Sequence, residues 1–241
     1  MRRVEIVPRD HKENHRISGM ISPFLHLYFP RHTYYNIAIT ERRQHTRITP
    51  EMSVSTIGWS PGQRVNMLRE VTKEYGLEGF FPWKELLASD FFSAPASTKY
   101  HGAYAGGLFD HSMNVANALC YFTGAELTSP WMRPESPLLV GLLHDVCKIG
   151  KYSINNTNDG FVWDPNKDMA IYGGHGSESL IRVQQWIQLT EEEALCIRFH
   201  MGAYEKEDWE AFDSAIKRYP NVLWTHTADM AVSKILEKED K

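Results

Sequence analysis

Two adjacent residues, His144 and Asp145, carry the strongest chemical signal in this sequence. They lie in the apolar run GLLHDVCK, residues 141–148, whose pattern is typical of the inward side of a helix. An imidazole nitrogen and a carboxylate oxygen on neighbouring residues can bind one divalent ion, and a bound ion can turn water into a nucleophile near neutral pH. A buried pair that satisfies its own hydrogen bonds is the alternative interpretation, so the surrounding residues have to decide between the two.

Four further segments have the same character, with polar side chains at the edges of apolar helical stretches. They are GGLFDHS (residues 106–112), GGHG (173–176), RFHMG (198–202) and HTAD (226–229). Taken singly, His111 suits a hydrogen-bond network at a helix start, His175 an exposed loop, and His200 a favourable interaction with a helix C-terminus. Asp229 is different, because burying a carboxylate on an apolar helix without a partner or a metal costs several kcal/mol.

This order of residues resembles the HD-domain superfamily of metal-dependent phosphohydrolases. Members have a first His, then a His-Asp doublet, optionally two further His, and a final Asp. The resemblance spans roughly residues 99–234 and depends on the motifs GGLxxHS, LLHDxxK and Ala-Asp, which occur in the expected order. It implies a helical bundle whose metal ligands are His111, His144, Asp145, His175, His200 and Asp229.

The resemblance also implies how many ions the centre holds. Four of the six ligands would form the first metal site, and the other two, His175 and His200, would serve a second ion if Asp145 bridges the pair. An extra histidine pair marks the binuclear members of the superfamily, so two ions are favoured over one. Nitrogen and oxygen ligands without thiolate are compatible with Mn, Fe, Co, Ni, Zn or Mg.

Catalysis is expected to depend on Asp145 and Lys148. His144 and Lys148 are four residues apart on one predicted helix, so they share a face. Lys148 can therefore direct a positive charge toward a phosphate held by the metal ligands.

Contacts with substrate are predicted for His101, Lys148, Tyr152 and His226. His101 lies in a loop before the first ligand, and an ordinary surface loop is the alternative there. His226 precedes Asp229 by three residues and would orient that carboxylate or touch substrate. Tyr152 would line the pocket, although packing against the bundle explains the aromatic residues near it equally well.

The resemblance predicts a metal-dependent phosphohydrolase that cleaves a phosphoester with a metal-activated hydroxide. The leading substrate class is a nucleotide or cyclic nucleotide, so the expected partner is a small-molecule phosphoester. Three alternatives stay open: a di-iron oxygenase of the same fold, a 3′–5′ RNA exonuclease, and a non-catalytic nucleotide sensor. Residues 1–98 lack the five alternating strands of an oligonucleotide-binding barrel, so a nucleic-acid partner is not favoured. The oligomeric state is left open.

The apolar periodicity predicts a mostly α-helical protein. Helices are expected over residues 62–71, 81–87, 108–122, 138–148, 176–189, 191–200, 208–218 and 220–236. Between Tyr152 and Trp163 the pattern changes to a short β-hairpin closed by Asp159-Gly160, and this insertion is a candidate lid over the site.

Composition separates residues 1–52 from the rest of the chain. Residues 1–50 hold nine Lys/Arg against four Asp/Glu, a balance of +5 in a chain whose total is −4. Because four prolines also interrupt this region, we expect a poorly ordered basic extension, followed by a helical metal-binding domain over residues 53–241. A contact between this extension and a nucleic acid or an acidic partner is the alternative.

The remaining composition is that of an ordinary globular protein, with 42% hydrophobic residues. The sequence shows neither a signal-peptide pattern nor a long apolar run, so we expect a cytoplasmic protein without membrane attachment. Three widely spaced cysteines, Cys120, Cys147 and Cys196, lie in apolar helical runs and are expected to be reduced core thiols.

Overall fold

The computed structural model describes residues 53–155, 160–163, 172–203 and 206–237 of the 241-residue chain. This part of the chain is mostly helical, which confirms the predicted all-α fold class. The predicted basic extension, residues 1–52, lies outside the described residues, so its expected character stays a prediction.

Helices and one hairpin follow one another along these ranges. In chain order they are α1 (Pro61–Glu74), α2 (Trp83–Leu87), α3 (Gly107–Gly124), α4 (Ser136–Leu143), β1 (Tyr152–Asn155), β2 (Gly160–Trp163), α5 (His175–Trp186), α6 (Glu191–Arg198), α7 (Lys206–Arg218) and α8 (Asn221–Ala231). A 3₁₀ turn, Val146–Lys148, lies between α4 and β1, and a π-helical turn, Val232–Leu236, continues α8.

Capping residues explain where two of the helices begin. The Ser60 hydroxyl accepts a hydrogen bond from the main-chain N–H of Gln63, whose side chain accepts one from the N–H of Ser60. Thr190 and Glu193 form the same reciprocal pair at the start of α6. Both pairs satisfy N–H groups that a helix start leaves unpaired.

Helix α3 lies at the centre of the fold and is buried along most of its length. It packs against α4 and α8, while α6 packs against α5 and α8. Two of these contacts need glycine, because a Cβ on Gly141 of α4 would overlap the main chain of Ala116, and one on Gly176 of α5 would overlap the carbonyl of Arg198. Main chains therefore touch where α3 meets α4 and where α5 meets α6.

The segment before α1 is attached to α3 by buried polar groups. The Val54 N–H donates to the Asn114 side chain (2.5 Å), which donates back to the Val54 carbonyl (3.1 Å). The N–H and hydroxyl of Thr56 both donate to the Asp110 carboxylate, at 2.7 and 2.5 Å. Arg64 is also buried here and donates from Nε to the Thr56 hydroxyl (2.7 Å). The hydrogen-bond network at the start of α3 thus uses Asp110.

The helix predicted over residues 138–148 is interrupted, which corrects the sequence expectation. Helix α4 ends at Leu143, and Asp145 leaves the helical conformation with φ −114° and ψ 20°. The hydroxyl of Ser179 on α5 accepts a hydrogen bond from the main-chain N–H of Cys147 (3.1 Å). In a continuous helix this N–H would instead donate to a carbonyl of the preceding turn. A side chain distant in sequence therefore competes with the helical hydrogen bond.

The predicted hairpin is present as an antiparallel pair of strands. Tyr152 pairs with Trp163, and Asn155 pairs with Gly160. Residues 156–159 lie outside the described residues, so the Asp-Gly turn and the lid function stay predictions. Within the ranges that the structure describes, no helix combines the length and apolar character needed to span a membrane.

Candidate metal centre

Four of the predicted ligands meet between α3, α8 and the turn after α4. The Nε2 atom of His111 lies 3.3 Å from Nε2 of His144, 3.2 Å from Oδ1 of Asp229 and 3.6 Å from Oδ2 of Asp145. All four residues are buried, and none is more than 6% exposed. His111 therefore belongs to this cluster rather than to the hydrogen-bond network around Asp110.

The remaining two predicted ligands lie on the other side of Asp145. Its Oδ1 atom faces Nε2 of His200 (3.5 Å), at the end of α6. It also faces Sγ of Cys147 (3.7 Å), which in turn lies 3.5 Å from Nδ1 of His175, the first residue of α5. The two carboxylate oxygens of Asp145 thus face ligand atoms on two sides. Three overlapping groups of these side chains could hold a metal ion: His111, His144 and Asp229; His144, Asp145 and His200; and Asp145, Cys147 and His175.

The ring hydrogen bonds leave Nε2 of three histidines available toward the cluster. Nδ1 of His144 donates to the Gly141 carbonyl, and Nδ1 of His200 donates to the Ile197 carbonyl, both at 2.8 Å. A carbonyl can only accept, so each Nδ1 carries a proton and each Nε2 is directed at the cluster, where the neutral ring presents a lone pair. Nδ1 of His111 likewise meets a carboxylate, at 2.9 Å.

The ligand spacing fits a divalent ion. Ligand atoms about 2.0–2.2 Å from a tetrahedral ion lie about 3.3–3.6 Å from one another, and the separations between nitrogen and oxygen in the centre are 3.2–3.6 Å. Moreover, Nε2 of His200 is fully buried and has no hydrogen-bond partner within the described part of the chain. An unsatisfied buried lone pair is costly, and coordination of an ion would satisfy it.

Comparison of the chain with protein-family models, curated proteins and solved structures found no match. The arrangement of these side chains is therefore the observation that bears on function.

Electrostatics keep the Asp145 carboxylate ionised and His144 neutral. Burial alone would raise the pKa of Asp145, but Lys148 and His144 outweigh it and hold that pKa well below its usual range. Burial lowers the pKa of His144 to about 4. For His111 burial also lowers the pKa, but Glu237 and Asp229 outweigh it and raise the pKa to about 10. An ionised carboxylate and a neutral imidazole are the forms that bind metal.

Lys148 reaches the centre by a different route from the one predicted. It was expected to share a helical face with His144, but the helix is interrupted between them. Its Nζ instead contacts Oδ2 of Asp145 at 2.5 Å, and the Lys148 side chain is 11% exposed. The positive charge is therefore held at the carboxylate itself.

Two of the four residues predicted to contact substrate, His101 and Tyr152, lie near Asp145 and Lys148. The ring of His101 lies 4.7 Å from that of His111, centroid to centroid, and is half-buried. Tyr152 is half-buried at the start of β1, where its hydroxyl donates to the Ala96 carbonyl (3.2 Å). Burial is the main cause that lowers the pKa of His101 to about 4, and the charges of His111 and Lys148 lower it further.

His226 lies against the chain that follows α6, and the two roles predicted for it, orienting Asp229 or touching substrate, stay predictions. Its Nδ1 contacts the main-chain carbonyl of His200 at 2.8 Å. The Asp229 carboxylate accepts a hydrogen bond from the hydroxyl of Ser233, one helical turn later, at 3.1 Å. His226 therefore supports the chain that follows α6.

Sequence reasoning missed Glu237, whose Oε2 contacts Nδ1 of His111. Its other oxygen accepts a hydrogen bond from the Asn114 side chain (2.7 Å). A carboxylate behind a metal-binding histidine fixes the ring and makes it a stronger ligand. One signal was available, because Asp229, Ser233 and Glu237 follow one another at four-residue spacing, which places them along one side of a helix.

The structure also changes the interpretation of the cysteines. None of the three forms a disulfide, as expected, and Cys147 and Cys196 are buried. Cys196 lies within α6 as a core residue. Cys147, however, lies beside Asp145 and His175 in the candidate metal centre.

Proposed function

We propose that this chain is a metal-dependent phosphohydrolase with the ligand arrangement of the HD-domain superfamily, acting on a phosphoester of a nucleotide or cyclic nucleotide. The observation that carries this proposal is the convergence of His111, His144, Asp145 and Asp229. Their ligand atoms come from separate elements and are mutually within 4.8 Å in two overlapping groups that also include His200. Lys148 pairs with Asp145, but the site also buries a second carboxylate and three imidazoles, and a bound metal ion would offset that cost.

The residues divide into two sets of ligands. One ion would be held by His111, His144, Asp229 and Oδ2 of Asp145, and a second by Oδ1 of Asp145, His175 and His200. A divalent ion in such a site lowers the pKa of a bound water and polarises a phosphoryl oxygen. The protein supplies a rigid position for both sets, because Asp145 belongs to each of them.

Lys148 supports this activity by supplying a cation next to the bridging carboxylate. Its Nζ is 2.5 Å from Oδ2 of Asp145, so the ammonium group is fixed at the edge of the ligand cluster. A phosphate oxygen close to Asp145 would meet this ammonium group as a hydrogen-bond donor. We infer that Lys148 contributes to catalysis by neutralising charge on the phosphate.

The part of the substrate other than its phosphate would contact the half-buried residues beside the centre. His101 adds an imidazole next to His111, and Tyr152 adds a phenol at the start of the hairpin. An imidazole and a phenol can each donate a hydrogen bond to a ribose or base, or lie against its ring. These groups suit a nucleotide better than a simple alkyl phosphate.

The test is product release from nucleoside monophosphates, nucleoside triphosphates, cyclic nucleotides and short RNA, with added manganese. Wild type is compared with Asp145→Asn and with Asp213→Asn, because Asp213 also pairs with a lysine but on the exposed surface of α7. One substrate class should be turned over by wild type and Asp213→Asn, and turnover should fall to background in Asp145→Asn. Turnover by a correctly folded Asp145→Asn variant would contradict the proposal.

Silence across the panel from a metal-loaded wild type would contradict hydrolysis itself. Oxygen uptake by the iron-loaded protein would then identify an oxygenase, while nucleotide binding without turnover would identify a sensor. Turnover confined to short RNA would identify the exonuclease alternative.

A further inference from the structure

We infer that Cys147 is a thiolate ligand of the second ion, which it would hold together with Asp145 and His175. This inference rests on the proposed metal-dependent function. It changes the donor set from nitrogen and oxygen alone to one that includes sulfur. A sulfur donor favours zinc, cobalt or iron over magnesium.

Interatomic distances around Cys147 are those of a coordination site. For a tetrahedral ion with bonds of about 2.3 Å to sulfur and about 2.0–2.2 Å to nitrogen or oxygen, sulfur lies about 3.5–3.7 Å from a neighbouring ligand atom. Sγ of Cys147 is 3.5 Å from Nδ1 of His175 and 3.7 Å from Oδ1 of Asp145. Both separations therefore suit a shared ion, and the three ligand atoms are mutually within 4.8 Å.

An independent observation points to the same place. Nε2 of His200 is fully buried, has no hydrogen-bond partner among the described residues, and lies 3.5 Å from the same Oδ1 atom of Asp145. Its Nδ1 is already bonded to the Ile197 carbonyl, so the ring is held with Nε2 directed at this carboxylate oxygen. Cys147 and His200 thus approach the same carboxylate oxygen, Cys147 in a group with His175 and His200 in a group with His144.

The interrupted helix is what brings Cys147 to Asp145. In a continuous helix two residues at i and i+2 point to different sides and do not face each other. Here α4 ends at Leu143, Asp145 is non-helical, and the 3₁₀ turn Val146–Lys148 directs both side chains inward. The hydrogen bond from the Cys147 N–H to Ser179 holds that turn against α5, the helix that begins with His175.

Cys196 is a matched control for Cys147. Both thiols are buried at 0% exposure. The polar groups that act on Cys196 are Thr225, Glu192 and Glu193, none of which belongs to the centre. A variant of Cys196 therefore tests the loss of a buried thiol without the loss of a ligand.

The experiment is a titration of metal-free protein with cobalt(II), followed by optical absorption and by the metal content per chain. Wild type, Cys147→Ser and Cys196→Ser are compared. Wild type and Cys196→Ser should show a sulfur-to-cobalt charge-transfer band, and Cys147→Ser should lose it. The affinity of Cys147→Ser for the second ion should fall by at least about 10–100-fold. That is the loss expected when a residue that only orients a metal ligand is removed.

A second measurement needs no variant and so does not depend on the folding of Cys147→Ser. X-ray absorption of the zinc-loaded wild type should show a sulfur neighbour at about 2.3 Å from zinc. Two bound ions with only nitrogen and oxygen neighbours would overturn the role of Cys147 and leave the proposed function standing. No binding of cobalt or zinc by the wild type would overturn both proposals.

Discussion

Asp145 is the residue on which the whole centre depends, because its two oxygens face different partners. Oδ2 lies close to His111, His144 and Lys148, and Oδ1 lies close to His200 and Cys147. A carboxylate in this position contacts both groups of ligands, so it couples their positions and their charges. Residues on either side of it can therefore be tested separately.

At the side of Oδ1, His200→Ala should remove the second ion and leave the first. Binding should fall from about two ions per chain to about one, since two-metal sites need ligands on both sides of the bridging group. Metal content after equilibrium dialysis measures this directly. His226→Ala is the control, because His226 contacts the main-chain carbonyl of His200 and not its ring nitrogen Nε2. An unchanged content in His200→Ala would show a mononuclear site.

At the side of Oδ2, Glu237→Gln should weaken binding of the first ion. The change keeps a hydrogen-bond acceptor for Nδ1 of His111 but removes the negative charge that makes the ring a strong ligand. Loss of such a partner costs about 10–100-fold in metal affinity, which a titration with a competing chelator measures. Glu210→Gln, at an exposed position of α7, should bind as tightly as wild type. Equal affinities for the two variants would exclude the positioning role of Glu237.

Elements of the fold set the distance between ligands through close helix contacts. The main chains of α3 and α4 meet at Ala116 and Gly141. Ala116 is five residues C-terminal to His111, and Gly141 is three residues N-terminal to His144. Any side chain at Gly141 must therefore move one of the two helices that carry ligands.

Gly141→Ala should consequently destabilise the fold and weaken the centre together. Overpacking costs about 1–3 kcal/mol, and each kcal/mol lowers the Tm of a chain of this size by about 2–4 °C. Thermal unfolding with and without zinc measures both effects, because a weakened centre also gains less stability from zinc. Gly79→Ala, with open space around it, should unfold like wild type. A normal Tm and zinc response in Gly141→Ala would show that the contact does not position the ligands.

For the molecule as a whole, the sequence predicts a boundary near residue 52, and the hydrogen bonds of Val54 and Thr56 to α3 follow directly after it. A chain that starts at Met52 should keep its Tm and its metal binding. One that starts at Gly58 should lose stability, because each buried polar group left unpaired on α3 costs about 1–3 kcal/mol.

Thermal unfolding and metal content of the two truncated chains test this boundary. The point variant Thr56→Ala serves as a control, since it removes only the two hydrogen bonds of the Thr56 hydroxyl, to Asp110 and from Arg64, without shortening the chain. A large fall in Tm for the chain that starts at Met52 would mean that residues 1–51 contribute to the folded core, contrary to the expectation of a separate basic extension.

The amino-acid sequence by itself determined the helical class, the position of the hairpin and the types of residue at the candidate centre. These features are local. Apolar spacing reports which side of a helix is buried, and a polar residue inside such a pattern marks a position where burial needs a partner. His111, His144, Asp145, His200 and Asp229 could be singled out for that reason, although their roles as ligands remain predictions.

Only the tertiary structure decided which of these residues meet and which further residues join them. The break after Leu143 depends on Ser179, a residue of another helix, and without that break Cys147 and Asp145 would face different directions. The main-chain partner of His226 was hidden for the same reason, and the spacing that Glu237 shares with Asp229 does not show that its partner is His111 on another helix. A hydrogen bond between residues far apart in sequence leaves no periodic pattern along the chain, because it depends on how whole helices pack against one another.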